Sequence, residues 1–430
     1  MNQDSPCKYI KSIDYQTDKS RTLENLTLFI ELILLSLMSM DFRTRFFYFA
    51  FALFGVLIIF QRMKFETPLA VIPAIILSVS MCLFSPTTRG WTLGMIRPFA
   101  YPLCVIAGYN LVNVAEKKKA ERQIVYIIIA LAFGACTHYV LNMIINWGKS
   151  VDRNTIDYWT KSVLAATGQS ALASLMIGVA IPLLFTEIKK RYKFLALGIL
   201  VCILYYNLVL GGRTIFVLFF AMLFINILSS IIRSKSGIKR IRILFILFII
   251  AVFIFVLIRF NIFGINDLFV KSNFYKRFFA ANHDNVTEDG RSEYRILYLK
   301  NMFFYLFGGN ELRRAVGNHY AHDLLLDLYS DSGFFAFVAV LFMLGFCLIK
   351  TFKLFRDPQT GSIFKRILVN VIITFFTMFA MEPILDGMPW MFASFCIIFG
   401  SITRIMELNA LQNNKENNNM KRGKLCGLLK

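Results

Sequence analysis

The chain has 430 residues, 57% of them apolar and only 17% charged, with 47 Lys and Arg against 26 Asp and Glu. Such a composition excludes an ordinary water-soluble domain. The net charge of +21 is spread between apolar runs instead of gathered into a patch, which excludes nucleic acid as the expected partner and fits the cationic inner loops of a membrane protein.

Apolar runs long enough to cross the hydrocarbon core recur along nearly the whole chain, so the expected fold is an all-α polytopic membrane protein with about twelve transmembrane helices. The runs lie near 24–40, 45–60, 67–85, 91–112, 124–146, 163–185, 194–210, 215–232, 243–260, 334–349, 367–382 and 388–403. Residues 1–22 form a basic tail, and no small-residue cleavage site follows the first run, so that run is expected to be kept as a helix. Cys82, Cys104, Cys136, Cys202, Cys347 and Cys396 fall inside apolar runs, while Cys7 and Cys426 lie in the basic tails. No disulfide framework is implied.

Most of the basic residues fall in alternate connections, among them Lys117–Lys119, Lys189–Arg191, Arg240, Lys365 and Arg366. The bias puts both termini in the cytoplasm. Residues 23–260 then carry spans one to nine, 261–333 form one large outer loop, 334–405 carry spans ten to twelve, and 406–430 form a basic cytoplasmic tail. The Asn- and Lys-rich stretch 412–424 has the composition of a disordered segment.

The outer loop is too long to be a bare connection. From Arg291 to Phe307 its apolar residues follow helical spacing, which predicts a helix lying on the membrane surface, ended by a turn at Gly308-Gly309-Asn310. His319, His322, Asp323, Asp327 and Asp331 fall three and four residues apart, which predicts a second, polar helix over His319 to Asp331.

Several residues could carry chemistry. Arg213 stands in the short turn Gly211-Gly212-Arg213-Thr214, where its planar fork suits a phosphate; the turn alone equally allows a snorkelling side chain. Arg291, Arg295, Arg313 and Arg314 join His319 and His322 in an outward-facing basic cluster, read either as a site for a polyanion or as loop arginines paired with Asp284, Glu288, Asp289, Glu293 and Glu311. His319 and His322 could form half of a metal site, though spacing declares no third ligand; His322 as a general base is the alternative. Arg97 is a charge inside the fourth span, and Glu31, His138, Glu382 and Asp386 are weaker cases of the same kind.

With these residues in view, the chain resembles the O-antigen polymerase and O-antigen ligase superfamily of bacterial glycan-assembly proteins. Ligases of that family carry a His, a small polar residue, nine further residues, a Gly, two residues and then Gly, Thr or Tyr. Here His322-Asp323 is followed by LLLDLYSDS, Gly333, Phe334, Phe335 and Ala336; Asp323 and Ala336 depart from the pattern. The family's Arg in a short outer turn is matched by Arg213, and its Arg early in the large loop, followed by an LFG-type turn, by Arg291 and Phe307-Gly308-Gly309. The resemblance implies a metal-independent glycosyltransferase of the bacterial cytoplasmic membrane with no cofactor and no nucleotide sugar. A glycan on polyprenyl diphosphate would bind through Arg213 and Arg291, His322 would accept the acceptor's proton, and Arg97, Arg295, His319 and Asp323 would give support. Partners would be the lipid-linked oligosaccharide, membrane lipids and other polysaccharide-assembly proteins. A polymerase extending a surface polysaccharide is the reading favoured; a ligase moving finished polymer to another acceptor uses the same donor, and a twelve-span transporter or flippase is the rival from another class.

Overall fold

The described residues are mostly helical, as fits a chain whose side chains face lipid and which must satisfy its backbone within each segment. The computed structural model describes residues 26–61, 65–86, 95–114, 116–149, 154–233, 238, 259–261, 265–276 and 291–428. In chain order the main helices are α1 (Leu26–Ser39), α2 (Phe46–Gln61), α3 (Ile72–Phe84), α4 (Ala100–Leu111), α5 (Lys117–Ile145), α6 (Ala166–Leu184), α7 (Lys190–Leu210) and α8 (Arg213–Arg233). They continue with α9 (Ile265–Lys271), α10 (Arg291–Asn301), α11 (Glu311–Ala315), α12 (Leu324–Arg356), α13 (Ser362–Met381), α14 (Ile384–Gly387) and α15 (Pro389–Leu428).

Among the described residues seven helices are long and apolar enough to cross a membrane: α5, α6, α7, α8, α12, α13 and the first part of α15, Pro389–Gln412. They coincide with seven of the expected runs, and the shorter apolar helices α1 to α3 coincide with three more. The run expected at 243–260 lies outside the described residues except for its last two, and the first four residues of the run at 91–112 lie outside them as well. The exterior supports a membrane setting: Val217, Phe220, Phe224, Leu228 and Ile232 form an exposed apolar stripe along α8 at three- and four-residue spacing.

Small residues let the helices approach closely. α6, rich in Ala, Gly and Ser, is nearly all buried and packs against α5, α7, α8 and α13. α4 crosses α15 where a Cβ on Gly108 would stand 1.9 Å from the Ile397 carbonyl oxygen and one on Gly400 2.1 Å from that of Val105. Any side chain there would push the two backbones apart.

Charged residues pin one end of the bundle. Lys117 pairs with Asp357, Gly361 donates to Glu121 at 3.0 Å, and Arg404 bonds Glu66 at 2.7 Å. The opposite end carries the arginines and histidines discussed below.

Four expectations change. The all-helical fold contains a two-stranded hairpin, β1 (Asn154–Ile156) against β2 (Val163–Ala165), so α6 starts later than its apolar run. The polar helix over His319 to Asp331 does not form as such, because His322 has φ 52 and Asp323 caps a helix that begins only at Leu324. That helix continues into the tenth apolar run, broken at Gly333 (φ 84, ψ −175). At the C-terminal end α15 runs through 412–424 to Leu428; no proline interrupts it, and extending an established helix is far easier than nucleating one.

Candidate functional site

The site begins at the turn between α7 and α8. The Asn207 carbonyl accepts the N–H groups of Gly211 (2.9 Å) and Gly212 (3.2 Å), and Gly211 takes φ 74, the left-handed cap that glycine adopts without steric cost. Arg213 and Thr214 therefore open a 21-residue helix, at the end where its N–H groups are unpaired within the helix and its dipole is positive. Thr214 Oγ1 donates to Glu382 Oε1 at 3.2 Å.

α10 supplies the next side chains. Arg291, Arg295 and Tyr298 follow the four- and three-residue steps that define one helix face, and that face meets the end of α13 and the segment 319–323. Arg295 commits its fork to main-chain carbonyls: Nε donates to Ala321 at 3.1 Å, and Nη2 to His322 at 2.7 Å and to Ala380. Tyr298 donates to the His319 carbonyl at 2.7 Å. Arg291 is different. Among the described residues its guanidinium makes a single long hydrogen bond, 3.5 Å from Nη1 to the Met381 carbonyl, which leaves most of its donors open to an anion.

Between these elements stands Glu382, the first residue beyond α13 and 1% exposed. Burial pushes its carboxyl up to about 7, against the pull of Arg291, the Thr214 hydrogen bond and Arg295. The start of α8, one face of α10 and, through Arg295, the 319–323 segment thus meet around one carboxylate.

The backbone around His322 is fixed on both sides. Asp327, on the first turn of α12, accepts the Ala321 N–H at 2.8 Å and the Asp323 N–H at 3.2 Å, while Arg295 holds the carbonyls of Ala321 and His322. A non-glycine residue at φ 52 is uncommon and persists where its surroundings over-determine it. Asp323 caps α12 by accepting from Leu325 (3.0 Å) and Leu326 (3.2 Å). Burial raises its carboxyl, opposed by the Leu326 N–H and the Arg295 charge. His319 lies on the loop with its ring stacked 4.2 Å from Tyr294. It shares no helix face with His322, which removes the premise of a histidine pair three residues apart on a helix. Among the described residues no group of three or more His, Cys, Asp or Glu side chains is arranged to hold a metal ion.

Two glycine motifs distant in sequence touch each other beneath this loop. Segment 306–310 runs alongside 330–334 through three hydrogen bonds: Gly309 N–H to Asp331 (3.0 Å), Asn310 N–H to Ser330 (2.8 Å) and Phe334 N–H to Leu306 (2.9 Å). A Cβ on Gly308 would lie 2.7 Å from the Asp331 carbonyl oxygen, and one on Gly333 2.8 Å from that of Leu306. The turn that follows α10 is therefore docked on the break in α12.

Arg97 and Arg313 belong to neighbouring networks. Arg97 Nη2 donates to the Leu385 carbonyl at 2.9 Å, so it supports the segment just after Glu382 and makes no hydrogen bond to Arg291 or His322. Beside it Asp41 is pushed up to about 6 by burial, with His138 and Arg97 pulling the other way. His138 pairs with Asp157 at 2.7 Å; burial would raise Asp157, but that bond and those from Thr160 hold it at about 2. Arg313 is buried, lies 3.9 Å over the Tyr320 ring and reaches Asp386 at 3.3 Å. Arg314 is exposed, and its guanidinium donates to the Gly309 carbonyl at 2.8 Å.

Of the residues singled out in the sequence, the structure brings together Arg291, Arg295, His322, Asp323 and the turn carrying Arg213, with His319 as a loop anchor and Arg97 one step removed. It adds Thr214, gives Asp327 a task in place of the expected helix face, and brings to the centre Glu382, until then only a lone carboxylate in the apolar stretch Met381-Glu382-Pro383. Fold and site together define a mainly helical membrane protein with a guanidinium-rich, carboxylate-centred site at one end of its bundle. No protein-family model matches the chain, and no curated protein is significantly similar to it in sequence.

Proposed function

We propose that the protein is a surface-polysaccharide polymerase of the bacterial cytoplasmic membrane, related to the O-antigen polymerase and ligase superfamily, with about twelve spans, both termini cytoplasmic and the site facing outward. It transfers a growing glycan from polyprenyl diphosphate to a lipid-linked repeat unit. One observation carries the reading: Arg291, Arg295 and the Arg213–Thr214 turn meet around Glu382, with His322 joined to them through its carbonyl on Arg295, at the end of the bundle away from the Lys117–Asp357 and Arg404–Glu66 pairs.

The chemistry follows from the side chains. Arg291, with its open donors, and the cationic start of α8 bind the donor diphosphate. An acceptor hydroxyl attacks the anomeric carbon, the bond from that carbon to the diphosphate oxygen breaks, and the guanidinium groups stabilise the charge left on the diphosphate. His322 takes the acceptor's proton. Arg295 and Asp327 act as positioning residues, because they hold the peptide groups on either side of His322. Asp323, a departure from the ligase pattern, serves as a helix cap, a task that Asp performs as well as Asn or Ser.

The test is complementation. Deletion of the gene should leave single lipid-linked repeat units in place of long chains, and the wild-type gene should restore them. A His322→Ala gene, expressed to the same level, should not. Wild-type amounts of polymer from His322→Ala would overturn the assignment of the base, and unattached long chains in the null strain would make the protein a ligase.

A further inference from the structure

Glu382 has no part in the reaction just described, yet it is the most deeply buried charge at the site. Among the described residues its carboxyl faces the machinery proposed to hold the donor and its support: Thr214 at the start of α8 gives it a hydrogen bond, and Arg291 and the positioning residue Arg295, both from α10, supply its countercharge. Among the described residues the charges acting on it are those two arginines; Arg213 is next to Thr214 in the chain, and the carbonyl of His322 shares Arg295. A diphosphate bound by Arg291 and the helix start would bring two further negative charges against this carboxylate in a region poorly screened by water. Two like charges that share one cationic site do not both stay ionised at neutral pH.

We propose that Glu382 is the internal counterion of the donor site, and that the donor's diphosphate takes over this role while Glu382 binds one proton from solvent. No bond to carbon is made or broken in this step; the carboxylate becomes a carboxylic acid and keeps its hydrogen bond to Thr214. The inference rests on the donor chemistry of the proposed function. It adds a residue that sets how donor affinity depends on pH and that helps release the lipid diphosphate product when it ionises again.

The sign follows from linkage. A group that must be protonated for the ligand to bind leaves affinity level below its free pKa and weakens it as pH rises above that value. With Glu382 at about 7, affinity should be level in mild acid and fall about tenfold per pH unit in the alkaline range, or roughly thirtyfold between about pH 6 and about pH 8.5.

The experiment measures binding of geranylgeranyl-diphosphate-linked N-acetylglucosamine to the full chain in phosphatidylcholine nanodiscs. Both phosphates of that diester stay ionised across the range, so the probe adds no titration of its own. Wild-type protein should lose affinity as stated and take up about half a proton per probe bound at about pH 7 in weakly buffered solution, rising towards one by about pH 8.5. Glu382→Gln should bind with a pH-independent affinity and no proton uptake. Wild-type binding with a level pH profile and no proton uptake would overturn the role of Glu382 and leave the donor assignment standing. Failure of the wild-type protein to bind the probe at any pH would overturn the donor assignment and this inference together. Proton uptake is read on the unaltered chain, so the test holds even where Glu382→Gln does not fold.

Discussion

Arg291 and Arg295 sit four residues apart on one helix face and do different things, because one fork is open and the other is filled by carbonyls. Arg291→Lys keeps the charge and loses the bidentate geometry, so donor-dependent turnover should fall about tenfold or more, the equivalent of roughly 1.4 kcal/mol of lost transition-state binding, at unchanged thermal stability. Arg213→Lys should behave in the same way. Arg295→Lys should act through the loop: one ammonium cannot reach three carbonyls on two elements, so the midpoint of thermal unfolding should drop along with turnover, by the equivalent of about 1–2 kcal/mol. Equal stability of Arg291→Lys and Arg295→Lys would contradict this division. Arg314→Lys should change neither quantity. Activity should survive strong chelators, because guanidinium groups neutralise the diphosphate; loss with chelator and recovery with magnesium or zinc would revive a metal-based reading.

At the scale of elements, the spans were legible because their signal is redundant: a span declares itself through some twenty residues, and α5 to α8, α12, α13 and α15 all coincide with apolar runs. The helix expected from Arg291 was legible from its periodicity, though α10 ends at Asn301, six residues short of the expected Phe307. The loop 319–323 was not. His319, His322 and Asp327 have helical spacing, but the N–H groups that a helix would use internally are taken by Asp323 and Asp327, and the backbone of His322 turns left-handed. A local competition between side-chain and main-chain acceptors decided that segment, and periodicity does not report it. The packing of Gly308 on Gly333 was equally hidden, because neither glycine names its partner. That contact makes a sharp prediction: Gly333→Ala places a side chain 2.8 Å from a carbonyl oxygen in a backbone conformation reserved for glycine. It should destabilise the protein by more than about 1–3 kcal/mol, seen as a large drop in the midpoint of thermal unfolding. Asp323→Asn should be nearly neutral, whereas Asp323→Ala should cost about 1 kcal/mol.

For the whole molecule, the topology decides whether the proposed donor can reach the site at all. Reporter fusions after Arg122, Lys193, Lys239 and Arg366 should read cytoplasmic, and those near Arg89, Trp159, Asp289 and Gly387 external. A cytoplasmic signal at Asp289 would put the arginines on the wrong side for an outward-facing lipid-linked glycan. The break at Gly333 also gives the molecule a ruler. The nine helical residues Leu324 to Ser332 stand on the docked turn at 306–310 as a strut about 13 Å long, with His322 beyond its upper end. The spacing between His322 and Gly333 therefore sets both the height of the imidazole above that anchor and the compass direction it faces. One alanine inserted within the strut would raise the ring by about 1.5 Å and swing it by about 100°, turning the proposed proton acceptor out of register while every side chain of the site stays in the sequence.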